Sequence, residues 1–262
     1  MKKINLYISA LVLLSFSCTK IIDIELDDAD KRTSIDAKLV SGSNDFRVKV
    51  TKSGNFFGEN TVKDITNATV LLDDGTGTST LTNLGNGFYE LPGYNALDNK
   101  SYSLTITEDG TSYEATTTMP QIVEIDTVSF QFEAASPFGD EGYRLFIEVE
   151  DPAGVENYYR IEQEIAGVRY GTVEDLTLLD DQFVDGNRIV FPIFNADVAQ
   201  LGDTVVMYLF SLDKQAYDYF FAIDELLFGD AATPANPVSN WTNNALGNFS
   251  AFAADTMTVI VK

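Results

Sequence analysis

Ser101 to Thr118, SYSLTITEDGTSYEATTT, reads as a β-hairpin. Tyr102, Leu104 and Ile106 alternate with Ser and Thr, Glu108-Asp109-Gly110 turns the chain, and Tyr113, Ala115 and Thr117 return on the same face. Period two is the spacing of a strand with one face buried, and Asp-Gly tolerates the positive φ angles of a tight hairpin turn. The same alternation extends upstream. Ile35, Ala37 and Leu39 form one set, Phe46, Val48 and Val50 another, and Val70 and Leu72 precede the turn Asp73-Asp74-Gly75. Short strands with turn signals about every ten residues, over roughly 85 residues, predict an immunoglobulin-like β-sandwich from 34 to 119. Met119-Pro120 closes it, because Pro lacks the N–H that a central strand donates.

Downstream the pattern is again mainly strand. Val128, Phe130 and Phe132 lead to Tyr143, Leu145, Ile147 and Val149, then to the turn Asp151-Pro152-Ala153-Gly154. Tyr159, Ile161 and Ile165 then alternate with Arg160, Glu162 and Glu164, and further strands fit Arg188 to Phe194, Thr204 to Phe210 and Thr256 to Val261. One helix is expected near 212–228, capped by Ser211, because Ala216, Tyr217, Phe220, Phe221, Leu227 and Phe228 recur at three- and four-residue spacing. Its aromatic stripe either packs on a sheet or lines a ligand groove. The predicted fold is mainly β: the immunoglobulin-like sandwich, then a second antiparallel β domain over 120–262, a sandwich or partly closed barrel carrying the helix.

Composition excludes several chemistries. The 262 residues include no His and one Cys, so there is no Ser-His-Asp or Cys-His centre, no His or Cys zinc site and no intramolecular disulfide. A net charge of −23 argues against nucleic-acid binding, which starts with Lys and Arg neutralising phosphates. Hydrophobic content of 45% is enough to build cores, so the acidity belongs to the surface.

The N-terminus carries a targeting pattern. Lys2 and Lys3 precede an apolar stretch from Ile4 to Phe16 that ends at Cys18, too short to span a bilayer, which takes about 20 residues. It resembles a bacterial lipoprotein signal peptide, 1–17, with Cys18 as the acylated residue; the shifted Leu14-Ser15 spacing is similar to the looser form in Bacteroidota. Residues 18–33 read as an acidic tether, with Asp23, Glu25, Asp27, Asp28 and Asp30. The cluster resembles the signal that sends such lipoproteins to the outer face of the outer membrane. Because the mature chain is even more acidic, acyl chains and not charge would hold it to the membrane.

No cofactor motif is present: the chain lacks a P-loop and a Rossmann fingerprint, and Asp73-Asp74-Gly75-Thr76-Gly77 lacks EF-hand spacing. No cofactor is expected, although scattered carboxylates could hold calcium. Asp140-Glu141, Glu174-Asp175 and Asp180-Asp181 read as solvated loop charge. The candidate binding residues are Phe56 and Phe57 in one aromatic loop, and Trp241 with Asn240 and Asn243 in the long stretch after the helix. Trp241 is either a partner anchor or a plug at the open end of the second sandwich.

The order of motifs resembles a known family. Cys18 and the tether, Ser34 to Gly42 followed by Phe46-Arg47-Val48-Lys49-Val50, Tyr113 through Met119-Pro120, Tyr217-Asp218-Tyr219-Phe220-Phe221, Asn236-Pro237-Val238-Ser239-Asn240 and Ala245-Leu246-Gly247-Asn248-Phe249 are similar to the Bacteroidota lipoprotein family called domain of unknown function 4249. The resemblance implies gene neighbourhoods with TonB-dependent outer-membrane receptors and a role in nutrient uptake. The expectation is a noncatalytic, surface-exposed outer-membrane lipoprotein that partners such a receptor or captures its substrate. The alternatives are a carboxylate-dependent glycoside hydrolase and a structural or adhesive surface lipoprotein.

Overall fold

The hairpin forms as its pattern requires: Asp109 and Gly110 take φ of 46° and 82°, and Glu108 faces Thr111 across the turn. The computed structural model describes residues 31–54, 62–137, 139–194, 197–229 and 236–262. Cys18, the expected signal peptide, nearly all of the expected tether, Phe56 and Phe57 therefore lie outside the described residues. The first half contains β1 (Thr33–Val40), β2 (Asp45–Lys52), β3 (Lys63–Asp64), β4 (Thr69–Asp73), β5 (Thr78–Thr80), β6 (Thr82–Gly85), β7 (Phe88–Pro92), β8 (Lys100–Glu108) and β9 (Thr111–Met119). The second contains β10 (Thr127–Glu133), β11 (Gly142–Glu150), β12 (Tyr158–Ile165), β13 (Val168–Tyr170), β14 (Thr177–Asp180), β15 (Arg188–Pro192), β16 (Thr204–Leu212), helix α1 (Lys214–Phe228) and β17 (Phe249–Ile260).

These strands make three sheets. The longest runs β13-β12-β16-β17-β1-β2-β7-β6, with β14 also on β12 and β3 also on β2. The sheet β5-β4-β8-β9 packs on its β1, β2 and β7 region through Ile35, Val48, Tyr89, Leu72, Tyr102 and Leu104. The sheet β10-β11-β15 packs on its β12 and β16 region through Leu145, Ile147, Tyr159, Ile161, Met207 and Leu209. The result is two β-sandwiches that share one long sheet, with no closed barrel among the described residues.

The shared strand is β17. Phe249 to Phe252 pair parallel with Ala37 to Val40 of β1, and Phe252 to Ile260 pair antiparallel with β16. The strand begins at Phe249 instead of the expected Thr256, because Phe249 to Ala253 are all buried and show no alternation. Trp241, Ala245, Phe249, Ala251 and Ala253 join the core of the first sandwich, although they fall within 120–262.

The helix starts later than expected, and its cap is Asp213 rather than Ser211. Ser211 is the penultimate residue of β16 and buried, because the strand runs on to Leu212. Asp213 Oδ1 accepts from the Ala216 N–H at 2.8 Å, while its Oδ2 accepts from the Thr117 hydroxyl at 2.8 Å and the Thr118 N–H at 3.1 Å. One carboxylate thus caps the helix and clamps it to β9 of the other sandwich. Ala216 and Phe220 pack on Phe210, Leu212 and Phe252, the outer face of the long sheet.

The polar face expected for β12 is also covered. Arg160 and Glu162 are buried, and Glu162 is met by Arg160 at 3.0 Å, Arg169 at 2.6 Å and Lys38 at 3.8 Å. A carboxylate out of water requires such partners. Burial pushes the Lys38 ammonium down to about 8 against the pull of Glu162.

Candidate functional site

Strand and helix periodicity bring two sets of side chains face to face. Tyr158 opens β12 with Asp180 opposite it on β14. On α1, Lys214, Tyr217, Asp218 and Phe221 fall on one face at three- and four-residue spacing. Between them lies a groove of about 440 Å³, lined also by Glu156, Asp181 and Gln182. Three rings form a wall. Tyr158 and Tyr217 have centroids 4.9 Å apart, and Tyr217 and Phe221 stack at 6.0 Å with Phe221 46% exposed, so the wall opens to solvent.

The polar atoms of the groove are mostly acceptors. The Tyr158 hydroxyl donates to Glu156 at 2.9 Å and the Tyr217 hydroxyl to Asp180 at 3.4 Å. Burial, and then these carboxylates, push both phenols up to about 12, so both stay neutral donors at ordinary pH. Lys214 Nζ holds both oxygens of Asp218 at 2.7 Å and lies 5.8 Å from the Tyr158 ring centre.

Asp181 joins the groove to a second feature. Its carboxylate and those of Asp151 and Asp185 bring oxygens within 4.8 Å of one another, the one group among the described residues that could hold a metal ion. Asp151 accepts from the Tyr159 hydroxyl at 2.5 Å and the Gly186 N–H at 3.0 Å; Asp181 accepts from the Asn157 N–H at 2.8 Å. Gly186 is required here, since at φ +69° a Cβ would collide with Ala153. Asp180-Asp181 is thus not the solvated loop charge expected: Asp181 is buried and Asp180 accepts from Tyr217. Asp140, Glu141 and Glu174 are exposed.

Burial, followed by Asp151 and Asp185, raises the Asp181 acid above its ordinary value, against the opposing Asn157 N–H. A raised carboxyl favours the protonated native state, so its penalty is full above the native value and fades as pH falls through it. The stability difference between wild type and Asp181→Asn is therefore expected to shift towards wild type as pH falls from 7 to 4. Urea titrations at each pH measure it, and a difference independent of pH would contradict the assignment.

Residues 240–243, after the helix, tie into the first sandwich. Trp241 is 5% exposed, stacks on Phe249 at 6.3 Å, and donates its indole N–H to the Ile35 carbonyl at 3.1 Å. It plugs the first sandwich, not the second. Asn240 pairs with Phe249 in both directions, at 2.8 and 2.9 Å, and Asn243 donates to the Ser112 carbonyl at 2.6 Å. None of the three lies in the groove between α1 and β12. The groove residues come from three separate segments, so no local pattern joins them as a set; the aromatic stripe of the helix is the one signal that points to them.

The described residues thus make a β-protein of two sandwiches on one shared sheet, with an aromatic and carboxylate-lined groove open beside its helix. The chain belongs to the family described as domain of unknown function (DUF4249), whose model matches residues 19–258. No curated protein matches it. Among solved structures it is similar to the α-L-rhamnosidase from Dictyoglumus thermophilum at 10% identity and a TM-score of 0.29, over 70% of this chain; the chain spans 27% of the rhamnosidase's length. It is also similar to a candidate carbohydrate binding protein from Bacteroides uniformis ATCC 8492, at 10% identity and a TM-score of 0.25, over 87% of this chain and 98% of that one.

Proposed function

We propose that the protein is a noncatalytic lipoprotein of the outer membrane, anchored through Cys18, facing the cell exterior and capturing a ligand for a TonB-dependent receptor without a cofactor. The observation that carries the capture reading is the open groove beside α1: aromatic faces and fixed acceptors bind small molecules, and a chain without His lacks the commonest general base. The anchor rests on the sole Cys at the end of the apolar N-terminal stretch. Among the described residues no helix is long and apolar enough to cross a membrane. The receptor partnership rests on the family's resemblance. Purification from native outer membranes through a C-terminal tag tests the whole reading, with a TonB-dependent receptor expected to come with it.

A second reading, carboxylate-dependent glycoside hydrolysis, draws on Asp181, an acid that burial raises above the ordinary carboxylate value, beside other groove carboxylates. A protein recovered alone that cleaves glycans would favour it over capture.

Cys18→Ala is expected to move the protein into soluble fractions or leave its leader uncut, because acylation needs the thiol. Fractionation with acyl labelling measures this, and a variant that stays membrane-bound with unchanged migration and labelling would remove the anchor.

A further inference from the structure

We propose that the groove between α1 and β12 binds an organic cation, an alkylammonium head seated against the Tyr158, Tyr217 and Phe221 rings and facing Glu156, Asp180 and Asp218. The inference rests on the capture reading of the same groove and names its ligand class. Three observations lead to it.

The first is charge. Four carboxylates line the groove against one ammonium, so a phosphate, sulfate or uronate is repelled while a cation is drawn in. The net charge of −23 on the chain adds a field that concentrates cations near such a cleft.

The second is the balance of donors and acceptors. The phenols of Tyr158 and Tyr217 already donate to Glu156 and Asp180, and Lys214 is committed to Asp218. Gln182 is the remaining side-chain amide. A neutral sugar can donate its hydroxyls to these acceptors, but it brings no charge to offset the carboxylates. A ligand that brings its own N–H groups or positive charge fits what is left. The outer ring, Phe221, is 46% exposed and suits the same ligand, since the negative face of an aromatic ring attracts a cation within about 6 Å of its centroid.

The third observation is Lys214 itself. Its Nζ sits 5.8 Å from the Tyr158 centroid and bonds both oxygens of Asp218 in a pair more than half exposed, so an alkylammonium from the protein's own helix already rests at the mouth of the groove. A ligand cation would compete with it for the same ring and carboxylate.

The probe is choline, set against its uncharged isostere 3,3-dimethylbutan-1-ol and against methyl glucoside, titrated calorimetrically into the full-length protein at low ionic strength. Choline is expected to bind saturably and the isostere at least tenfold more weakly. Lys214→Gln is expected to tighten choline several-fold by removing the internal competitor. Phe221→Ser, at a half-exposed position, is expected to weaken it several-fold with an unchanged melting temperature. Equal binding of choline and the isostere, weaker binding to Lys214→Gln, or no choline binding at all would overturn the proposal. Methyl glucoside binding in place of choline would overturn the cation while leaving capture standing. Capture itself fails on a different result, the absence of a receptor from the tagged complex.

Discussion

A fragment from Ser34 to Met119 is expected to show no cooperative unfolding, although it holds every strand predicted for the first sandwich. In the intact chain β1 lies between β2 and β17, and Ala37 to Val40 pair with Phe249 to Phe252. Without β17 that stretch becomes an open edge, a template for aggregation. The fragment also loses Trp241 and Phe249 from its core. Removing a buried Phe or Trp costs about 3–5 kcal/mol each. A domain of roughly 85 residues has only about 4–13 kcal/mol of stability at typical values per residue, so the two losses, about 6–10 kcal/mol together, are of the same size as the whole. Far-ultraviolet circular dichroism and urea titration decide the matter. A sigmoidal transition with native-like spectra would show that the first sandwich stands without the last strand. Adding a peptide of residues 239–254 should restore structure if the missing strand is the cause.

Trp241→Ala in the full chain is expected to destabilise it by about 3–5 kcal/mol, with little direct effect on the groove. The side chain is 5% exposed, stacked on Phe249, and bonded to the Ile35 carbonyl across more than two hundred residues of sequence. Trp241→Phe keeps most of the apolar area and loses the hydrogen bond, worth about 1 kcal/mol net, so it should cost much less than the Ala variant. A fall in the urea midpoint with an unchanged slope is the expected signature. Wild-type stability combined with lost receptor recovery would instead make Trp241 a partner anchor.

Much of the architecture was legible because half-buried strands write their orientation into alternation. Tyr102, Leu104, Ile106, Tyr113 and Ala115 are all buried, as their spacing required, and Asp109-Gly110 turned where two residues tolerant of positive φ stood together. The helix was legible from its three- and four-residue spacing, but its cap was not. Ser211 and Asp213 are both good capping residues, and the choice fell to Asp213 because β16 kept pairing with β17 through Leu212.

The candidate site was legible only in part. Tyr217 and Phe221 stood out in the helical stripe, whereas nothing local separated Asp181 from any other acidic loop residue. Its burial comes from the neighbouring Asp185-Gly186 turn and from the Asp151 turn, about thirty residues upstream, folding against it.

By itself the sequence determined the strand-rich class, the position of the helix and the absence of His-dependent chemistry, since these follow from composition and from periods of two and 3.6 residues. Tertiary structure alone decided that the two sandwiches share a sheet, that Trp241 closes the first of them, and that Tyr158, Asp180 and the face of α1 meet in one groove. The physical reason is range. Alternation reports which side of a strand faces a core, but a strand buried on both faces, as Phe249 to Ala253 is, has no alternation to report, and its partners are set by pairing between distant segments.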